Sequence, residues 1–305
     1  MSWRIVYVTN ADKLSLNLNS IQVIHEEEKF FVNLNDIAML VLEDYKSIIT
    51  VRLLIELARQ GIPVLVLNTN SMPIGEYFPI ADNVRTSKRI SEQILWSDEI
   101  KEKLWTSIIK GKIENQIITL KRLNLLDKIS ILEEYISKIK PGDKSNVEGV
   151  CARVYFKELF GSEFIRFNET IENYCLNFSY HIIRTIISKE IVARGYIPSL
   201  GINHKSQYNV FNFADDIIEV FRPIVDYYVY MILSEILKSE VFELTKEIKV
   251  KLIDIANQKI FYKNKEYSIL NVVTIFINDI INFINVNGKS YLEIPRLIKN
   301  EWIII

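Results

Sequence analysis

The stretch "SKRISEQILWSDEIKEKLWTSIIKGKIENQIITLKRLN" (residues 87–124) marks the change of period that decides the fold. Along it, apolar residues recur at three- and four-residue intervals, which is the spacing of amphipathic helices. Residues 3 to about 80 instead carry alternating and continuous apolar runs, which are typical of strands. The sequence therefore predicts an α+β fold, with a small β-rich domain at 1–83 followed by a larger all-α domain at 84–305.

The β-rich part contains six predicted strand segments and one predicted helix. The helix is expected over 47–61, with Ser47 as its N-cap and Gly61 at its C-terminal end. The strand segments are "WRIVYVT", "KLSLNLNSIQVI", "KFFVNL", "IAMLVLE", "IPVLVLN" and "MPIGEYF".

Beyond residue 124 the helical period continues, with one clear interruption at "KPGDKSN" (140–146). A helix is expected to begin near Val147, directly after this break. The other predicted helices cover 128–140, 166–194, 213–238 and 269–286.

Composition describes an ordinary soluble globular protein, with 305 residues of which 49% are hydrophobic and 25% charged. The net charge of −1 does not point to a nucleic-acid binder, although local potential rather than net charge decides contact with phosphate. Cys151 and Cys175 lie in apolar helical patterns and are expected to be reduced core residues. Without a predicted signal peptide or membrane span, we expect a cytoplasmic protein with no membrane partner.

The candidate for chemistry is "GINHKSQYNVFNFADDIIEVFRP" (201–223). Of the three histidines, His25 is expected in a solvated turn and His181 in or near the core. His204 differs because it lies in a polar loop before a helix rich in carboxylates, where a metal ligand or base can be held.

The acids that follow divide into two groups. Asn212 is expected to cap the helix, with Asp215 completing a capping box. Asp216 and Glu219 lie three residues apart on one face, where two carboxylates repel each other unless a cation or a proton lies between them. Pro223 removes a backbone donor, which predicts a local kink after Glu219.

An imidazole and two carboxylates suit Mg²⁺ or Mn²⁺. Glu148 offers a further carboxylate, although it could equally complement a helix dipole. Nearby cations fit phosphate chemistry or ordinary salt bridges, and residue types alone leave both interpretations open. These cations are Arg153, Lys157, Arg184, Lys189, Arg194, Lys205 and Arg222.

"NVEGVCARVYF" (146–156) and the stretch 201–223 together resemble the CRISPR-associated integrase and endonuclease family of spacer acquisition, the Cas1 family. The likeness covers nearly the whole chain and is most similar to members from type II systems. It implies metal ligands at Glu148, His204 and Glu219, with Asp216 as an additional catalytic acid. Arg153, Lys205 and Arg222 are the candidate DNA contacts. The doubled "DD" departs from the family pattern, and the spacing to Glu219 favours Asp216 over Asp215.

The resemblance implies insertion of short foreign DNA fragments into a CRISPR array by Mg²⁺- or Mn²⁺-dependent transesterification at the repeat ends. It also implies a homodimer joined through the β-rich domain, a catalytic helical domain, double-stranded DNA (prespacer and repeat) as substrate and a small companion Cas subunit. Two alternatives remain, a hydrolytic structure-specific DNA nuclease and a non-catalytic scaffold that binds DNA ends.

Overall fold

A computed structural model describes residues 3–79, 83–236 and 243–297. The chain divides into two compact units. The first runs to Thr86 and also takes in Val192–Gly195, and the second comprises Ser87–Ile191 and the chain from Tyr196 onward. The predicted α+β class is confirmed, since strands dominate the first unit and helices the second. The dimerisation and catalytic roles expected for 1–83 and 84–305 stay predictions.

Two four-stranded sheets and one helix make up the described part of the first unit. The elements are β1 (Arg4–Val8), β2 (Lys13–Asn17), β3 (Ser20–His25), β4 (Glu28–Asn33), β5 (Ile37–Leu42), β6 (Ile48–Ile49), α1 (Val51–Arg59), β7 (Val64–Leu67) and β8 (Pro73–Tyr77). One sheet has the order β1-β5-β7-β8, with the first three strands parallel, and the other has the order β4-β3-β2-β6. Leu14, Ile21, Leu40 and Leu53 lie in the core of this unit.

Two local predictions in this unit were wrong. The segment 13–24 is not one strand but a hairpin, because the chain reverses after Asn17 with Leu18 at a φ of +51°. Helix α1 is capped by Thr50 and not by Ser47, whose hydroxyl donates to the carbonyl oxygen of Ala11 at 2.6 Å. The helix begins late because β6 pairs with β2 first.

The described part of the second unit consists of nine helices of at least seven residues and one hairpin. These are α2 (Thr86–Ile94), α3 (Asp98–Arg122), α4 (Ile129–Ile136), α5 (Val147–Phe160), α6 (Ile171–Ala193), α7 (Asn212–Ile218), α8 (Arg222–Ile236), α9 (Lys246–Asp254), β9 (Lys259–Tyr262), β10 (Lys265–Ser268) and α10 (Ile269–Asn285). Within the described ranges, none of these helices is long and apolar enough to cross a membrane.

Two features of this unit differ from the sequence prediction. The β9–β10 hairpin was missed, although its two-residue turn at Lys263 and Asn264, both with positive φ, follows an alternating segment. The helix expected over 213–238 is interrupted between Ile218 and Arg222, and residues 237 and 238 lie outside the described residues.

Helix α3 is the central element of the second unit. Its buried residues lie on all sides, as is typical of a helix inside a core. It contacts α4, α5, α7, α8 and α10. One stripe of this buried surface is polar, at Lys112, Asn115, Gln116 and Thr119. Such polar groups need partners inside the protein, and those partners belong to the candidate site.

Gly111 lies where α3 meets the C-terminal segment. A Cβ atom there would lie 2.6 Å from Cγ2 of Ile294, a branched side chain with little freedom to move. Overpacking by Gly111→Ala costs about 1–3 kcal/mol. Helix propensity returns about 1 kcal/mol, and because the contact at 2.6 Å is severe we expect a net destabilisation of up to about 2 kcal/mol. Calorimetry should show a melting temperature several degrees lower. Gly75→Ala is the control, because a Cβ there meets nothing within 4 Å; an equal effect of both substitutions would contradict this account.

Candidate active site

The break between α7 and α8 carries Glu219. Helix α7 ends at Ile218, and α8 begins at Arg222 with Pro223 in its first turn. The kink predicted after Glu219 is thus present, as a break between two helices rather than a bend within one. Glu219 lies at this break. Its side chain is buried, with only 4% of the residue exposed.

The polar stripe of α3 holds this break in place. The side-chain amide of Asn115 donates to the carbonyl oxygens of Val220, at 2.8 Å, and Pro295, at 2.9 Å. The hydroxyl of Thr119 donates to the carbonyl oxygen of Pro223 at 2.8 Å. These bonds pair one buried carbonyl group of the break and one of the first turn of α8 with side chains of α3, and they tie the C-terminal segment to the same helix. Glu219 is therefore positioned by side chains about 100 residues earlier in the chain.

Glu148 lies in the first turn of α5, and the loop before the helix fixes that turn. The carboxylate of Asp143 accepts the backbone N–H groups of Val147, at 2.9 Å, and Glu148, at 3.0 Å. Asn146 caps the helix with a φ of +52°. The break "KPGDKSN" thus supplies the residues that cap α5. The side chain of Glu148 is not needed as a cap.

A lysine joins the two glutamates. The Nζ atom of Lys112 lies 2.7 Å from Oε1 of Glu148 and 2.5 Å from Oε2 of Glu219. Burial would lower the pKa of Lys112, but the two carboxylates outweigh it and raise that pKa. Burial would likewise raise the pKa of Glu219, yet Arg222 and Lys112 outweigh burial and lower it. Glu219 is therefore held as a carboxylate, and both glutamate side chains contact the one ammonium group of Lys112.

His204 is oriented by Asp216, which is completely buried. One or the other carboxylate oxygen of Asp216 accepts the backbone N–H groups of Ile202, Asn203 and His204, and Oδ1 lies 2.7 Å from Nδ1 of the His204 ring. This last hydrogen bond and the charge of Asp216 raise the pKa of His204 above its usual value, against burial, which would lower it. Nδ1 faces Asp216, so Nε2 is the ring atom available to a ligand.

Gly201 makes this loop possible, since a Cβ there would lie 2.4 Å from the carbonyl oxygen of His204 and 2.8 Å from Oδ2 of Asp216. The spacing argument favoured Asp216 over Asp215, and Asp216 is the aspartate that contacts His204. In the structure the same carboxylate also holds the backbone of the loop.

The capping roles expected for Asn212 and Asp215 were wrong. Phe211 occupies the N-cap position, without a side-chain cap. The Asn212 amide reaches back to the carbonyl oxygens of Ser199 and Ser206, at 3.2 and 2.9 Å. Asp215 accepts a hydrogen bond from Asn209 at 2.7 Å. The loop between α6 and α7 folds back over the helix start, so these side chains bind the loop rather than the helix.

A cavity of about 290 Å³ opens beside the two glutamates. Arg222 contributes to its wall, lies 2.9 Å from Glu219 and stacks on the ring of Tyr180 at 4.7 Å. Arg166 also lines the cavity and lies 5.4 Å from the centre of the same ring. Arg153 and Lys205 are exposed, outside the residues that line the cavity. Of the three predicted DNA contacts, only Arg222 is thus part of the cavity wall.

The family model described as CRISPR associated protein Cas1 matches residues 6–266. The chain belongs to the Cas1 family. It is 30% identical over 299 residues to the CRISPR-associated endonuclease Cas1 of Neisseria meningitidis serogroup C (strain 8013), covering 98% of this chain and 97% of that protein.

Solved structures share the fold. The chain is similar to a chain of a Cas6-RT-Cas1–Cas2 complex, with a TM-score of 0.75 and 18% identity over 97% of this chain and 36% of the other. It is also similar to a casposase bound to integration product, with a TM-score of 0.73 and 18% identity over 99% of this chain and 97% of the other. At these identities the likeness concerns the fold alone.

In this Cas1-family structure, the three predicted metal ligands lie in one region but are not gathered around one point. Among the described residues, no group of three or more His, Cys, Asp or Glu side chains is arranged tightly enough to hold a metal ion. Lys112 lies between two of the three side chains, and Asp216 holds one ring nitrogen of the third.

Sequence reasoning missed Lys112, Asn115 and Asp143. The signal for the first two was a polar stripe at three- and four-residue spacing within an otherwise apolar helix.

Asp216→Asn is expected to lower the pKa of His204, because the variant loses the negative charge beside Nδ1. Because the pKa of His204 is raised in the native state, its pairing with Asp216 stabilises that state fully at pH values below the unfolded pKa of about 6.5. This contribution is lost as pH rises through the folded pKa. NMR titration of the histidine rings measures the shift. His181 is an internal reference, since burial lowers its pKa to about 3.

Asp215→Asn is the matched control for this titration, because the neighbouring aspartate contacts Asn209 instead of the ring. It should leave the pKa of His204 in place. Equal pKa values for His204 in the wild type and in Asp216→Asn would contradict the assigned orientation.

Proposed function

We propose that this chain is a metal-dependent DNA endonuclease and integrase that joins short DNA fragments to the ends of a CRISPR repeat by transesterification. The observation that carries the proposal is the pair of buried or half-buried carboxylates, Glu148 and Glu219, that meet at one cation beside an oriented imidazole. Membership in the Cas1 family supports it independently.

The donor set fits a divalent ion. Two carboxylates already contact one positive charge, and carboxylate oxygens together with one imidazole suit Mg²⁺ or Mn²⁺. Glu148, Glu219 and Nε2 of His204 would hold the ion. When bound, it supplies polarisation of the phosphodiester and a lower pKa for the attacking hydroxyl.

The protein's own groups position the reactants and balance their charge. In the proposed reaction, the 3′ oxygen of a DNA fragment forms a bond to phosphorus at the repeat end. The bond from phosphorus to the neighbouring 3′ oxygen breaks with its electron pair on that oxygen. Water takes up the proton of the attacking hydroxyl and returns one to the leaving oxygen. Arg222 and Arg166 lie at the cavity wall, where they can balance negative charge on the phosphoryl oxygens. Asp216, the additional acid of the proposed site, fixes the His204 ring.

The proposed substrates are double-stranded DNA, as prespacer and as CRISPR repeat, with Arg153, Lys205 and Arg222 as candidate contacts. The proposed partners are a second copy of the chain, joined through the β-rich domain at 1–83, and a small companion Cas subunit. The domain at 84–305 would carry catalysis, and the complex would act in the cytoplasm. Similarity to a casposase bound to integration product and to a Cas6-RT-Cas1–Cas2 complex supports DNA and a Cas partner.

Glu148→Gln and Glu219→Gln keep the shape of each side chain and remove its charge. Since outer-sphere substitutions at metal sites already cost 10–100-fold, each variant should lose about 100-fold or more in Mn²⁺-dependent strand transfer. A prespacer-like duplex and a repeat-bearing plasmid provide the assay. Glu158→Gln, on the same helix α5 but away from the cavity lining, is the control and should retain activity.

The products separate the proposal from its alternatives. Covalent joining of fragment to plasmid supports an integrase, whereas nicked products without joined strands would indicate a hydrolytic nuclease. A scaffold predicts that both glutamine variants, folded by circular dichroism and still binding DNA, behave like the wild type. That last result would reject catalysis at this site.

A further inference from the structure

Lys112 is a buried lysine placed between two carboxylates that come from different elements. Only 7% of the residue is exposed. Its Nζ atom contacts Glu148, in the first turn of α5, and Glu219, at the break after α7. It therefore occupies the space between the two acids that the proposed function assigns to a divalent ion.

The local charges balance without a metal. Glu148 and Glu219 carry two negative charges, while Lys112 and Arg222 carry two positive ones. A divalent ion added to this set would leave a large positive excess in a mostly buried region, which is costly. Withdrawal of one of the two cations when a metal enters reduces this excess.

Lys112 is the cation suited to withdraw. Arg222 is fixed by its pairing with Glu219 and by stacking on Tyr180. A lysine is instead a compact charge on a flexible four-carbon stem. Lys112 also lines the cavity beside the glutamates, together with Arg166 and Arg222. Its ammonium can thus turn from the carboxylates towards the cavity without leaving the site.

We propose that Lys112 is a built-in counter-ion that holds Glu148 and Glu219 together in the metal-free protein and is displaced by the divalent ion. The inference rests on the proposed metal site and adds an exchange step to it. Metal loading then releases an ammonium to the cavity wall, where it offers a further donor to a DNA phosphate. The exchange also lowers metal affinity, because the ion must break an existing pair of ionic contacts.

Removing the competitor should strengthen metal binding. Lys112→Met is expected to bind Mn²⁺ with a Kd about tenfold lower than the wild type, a difference of about 1.4 kcal/mol. Without metal, its melting temperature should fall, because Glu148 and Glu219 then lack the ammonium group that lies between them. Mn²⁺ should raise that temperature more than in the wild type. Isothermal calorimetry and thermal unfolding measure both effects. An unchanged or higher Kd for Lys112→Met would overturn the proposal.

Lys103→Met is the matched control. Lys103 lies on the same helix and pairs with Glu99 at 2.7 Å, but it is exposed. Its removal should leave the Kd for Mn²⁺ unchanged. Should Lys112→Met fail to fold, Lys112→Gln replaces it, since the amide can still donate a hydrogen bond to one of the two glutamates. The same fall in Kd is expected.

The wild-type protein offers an independent measurement. Mass spectrometry after lysine acetylation should show Lys112 protected without metal and more reactive when Mg²⁺ is present. Protection that is unchanged or increased by Mg²⁺ would reject displacement. Glu148→Gln separates the two proposals: if it leaves Mn²⁺ binding intact, the proposed metal site fails. If binding requires Glu148 but Lys112→Met has the affinity of the wild type, only the counter-ion proposal fails.

Discussion

The pairing of Lys112 with Glu148 and Glu219 is the interaction on which the candidate site depends. It joins the start of α5 and the break after α7 to the central helix α3. Buried charges persist only when they are paired, so neither Lys112 nor Glu219 could be retained alone. Asn115 and Thr119 extend the same contact by holding the carbonyl groups of the break. The polar stripe of α3 thus explains how an apolar core accommodates acidic side chains in a defined geometry.

A second constraint orients the imidazole. Asp216 collects three backbone N–H groups and the ring of His204 at one buried carboxylate, which folds the 201–204 loop onto α7. The same contacts bury the Asp216 carboxylate and leave Nε2 of His204 as the ring nitrogen that does not face it. The two constraints meet at Glu219, which lies three residues after Asp216 and contacts Lys112. The proposed metal site depends on both constraints, because each places a different donor group.

Much of the fold could be predicted from periodicity, since strands and helices differ in the spacing of their apolar residues. The change of period near residue 87 separated the two kinds of structure correctly. Other predictions failed where two structures compete for the same residues. Ser47 does not cap α1, because residues 48 and 49 pair with a strand before the helix begins. For the site, residue type and spacing identified His204, Asp216 and Glu219. Spacing could not identify Lys112, because its partners lie 36 and 107 residues further along the chain and only folding brings them together.

The central claim is that Glu148, His204 and Glu219 bind one divalent ion. The most direct test is the anomalous difference map of a crystal grown or soaked with Mn²⁺. Our account predicts a single peak about 2.0–2.6 Å from both carboxylates and from Nε2 of His204. It also predicts that Nζ of Lys112 has moved away from them. A map without a peak between these side chains, at saturating Mn²⁺ and with Lys112 still bridging the two glutamates, would contradict it.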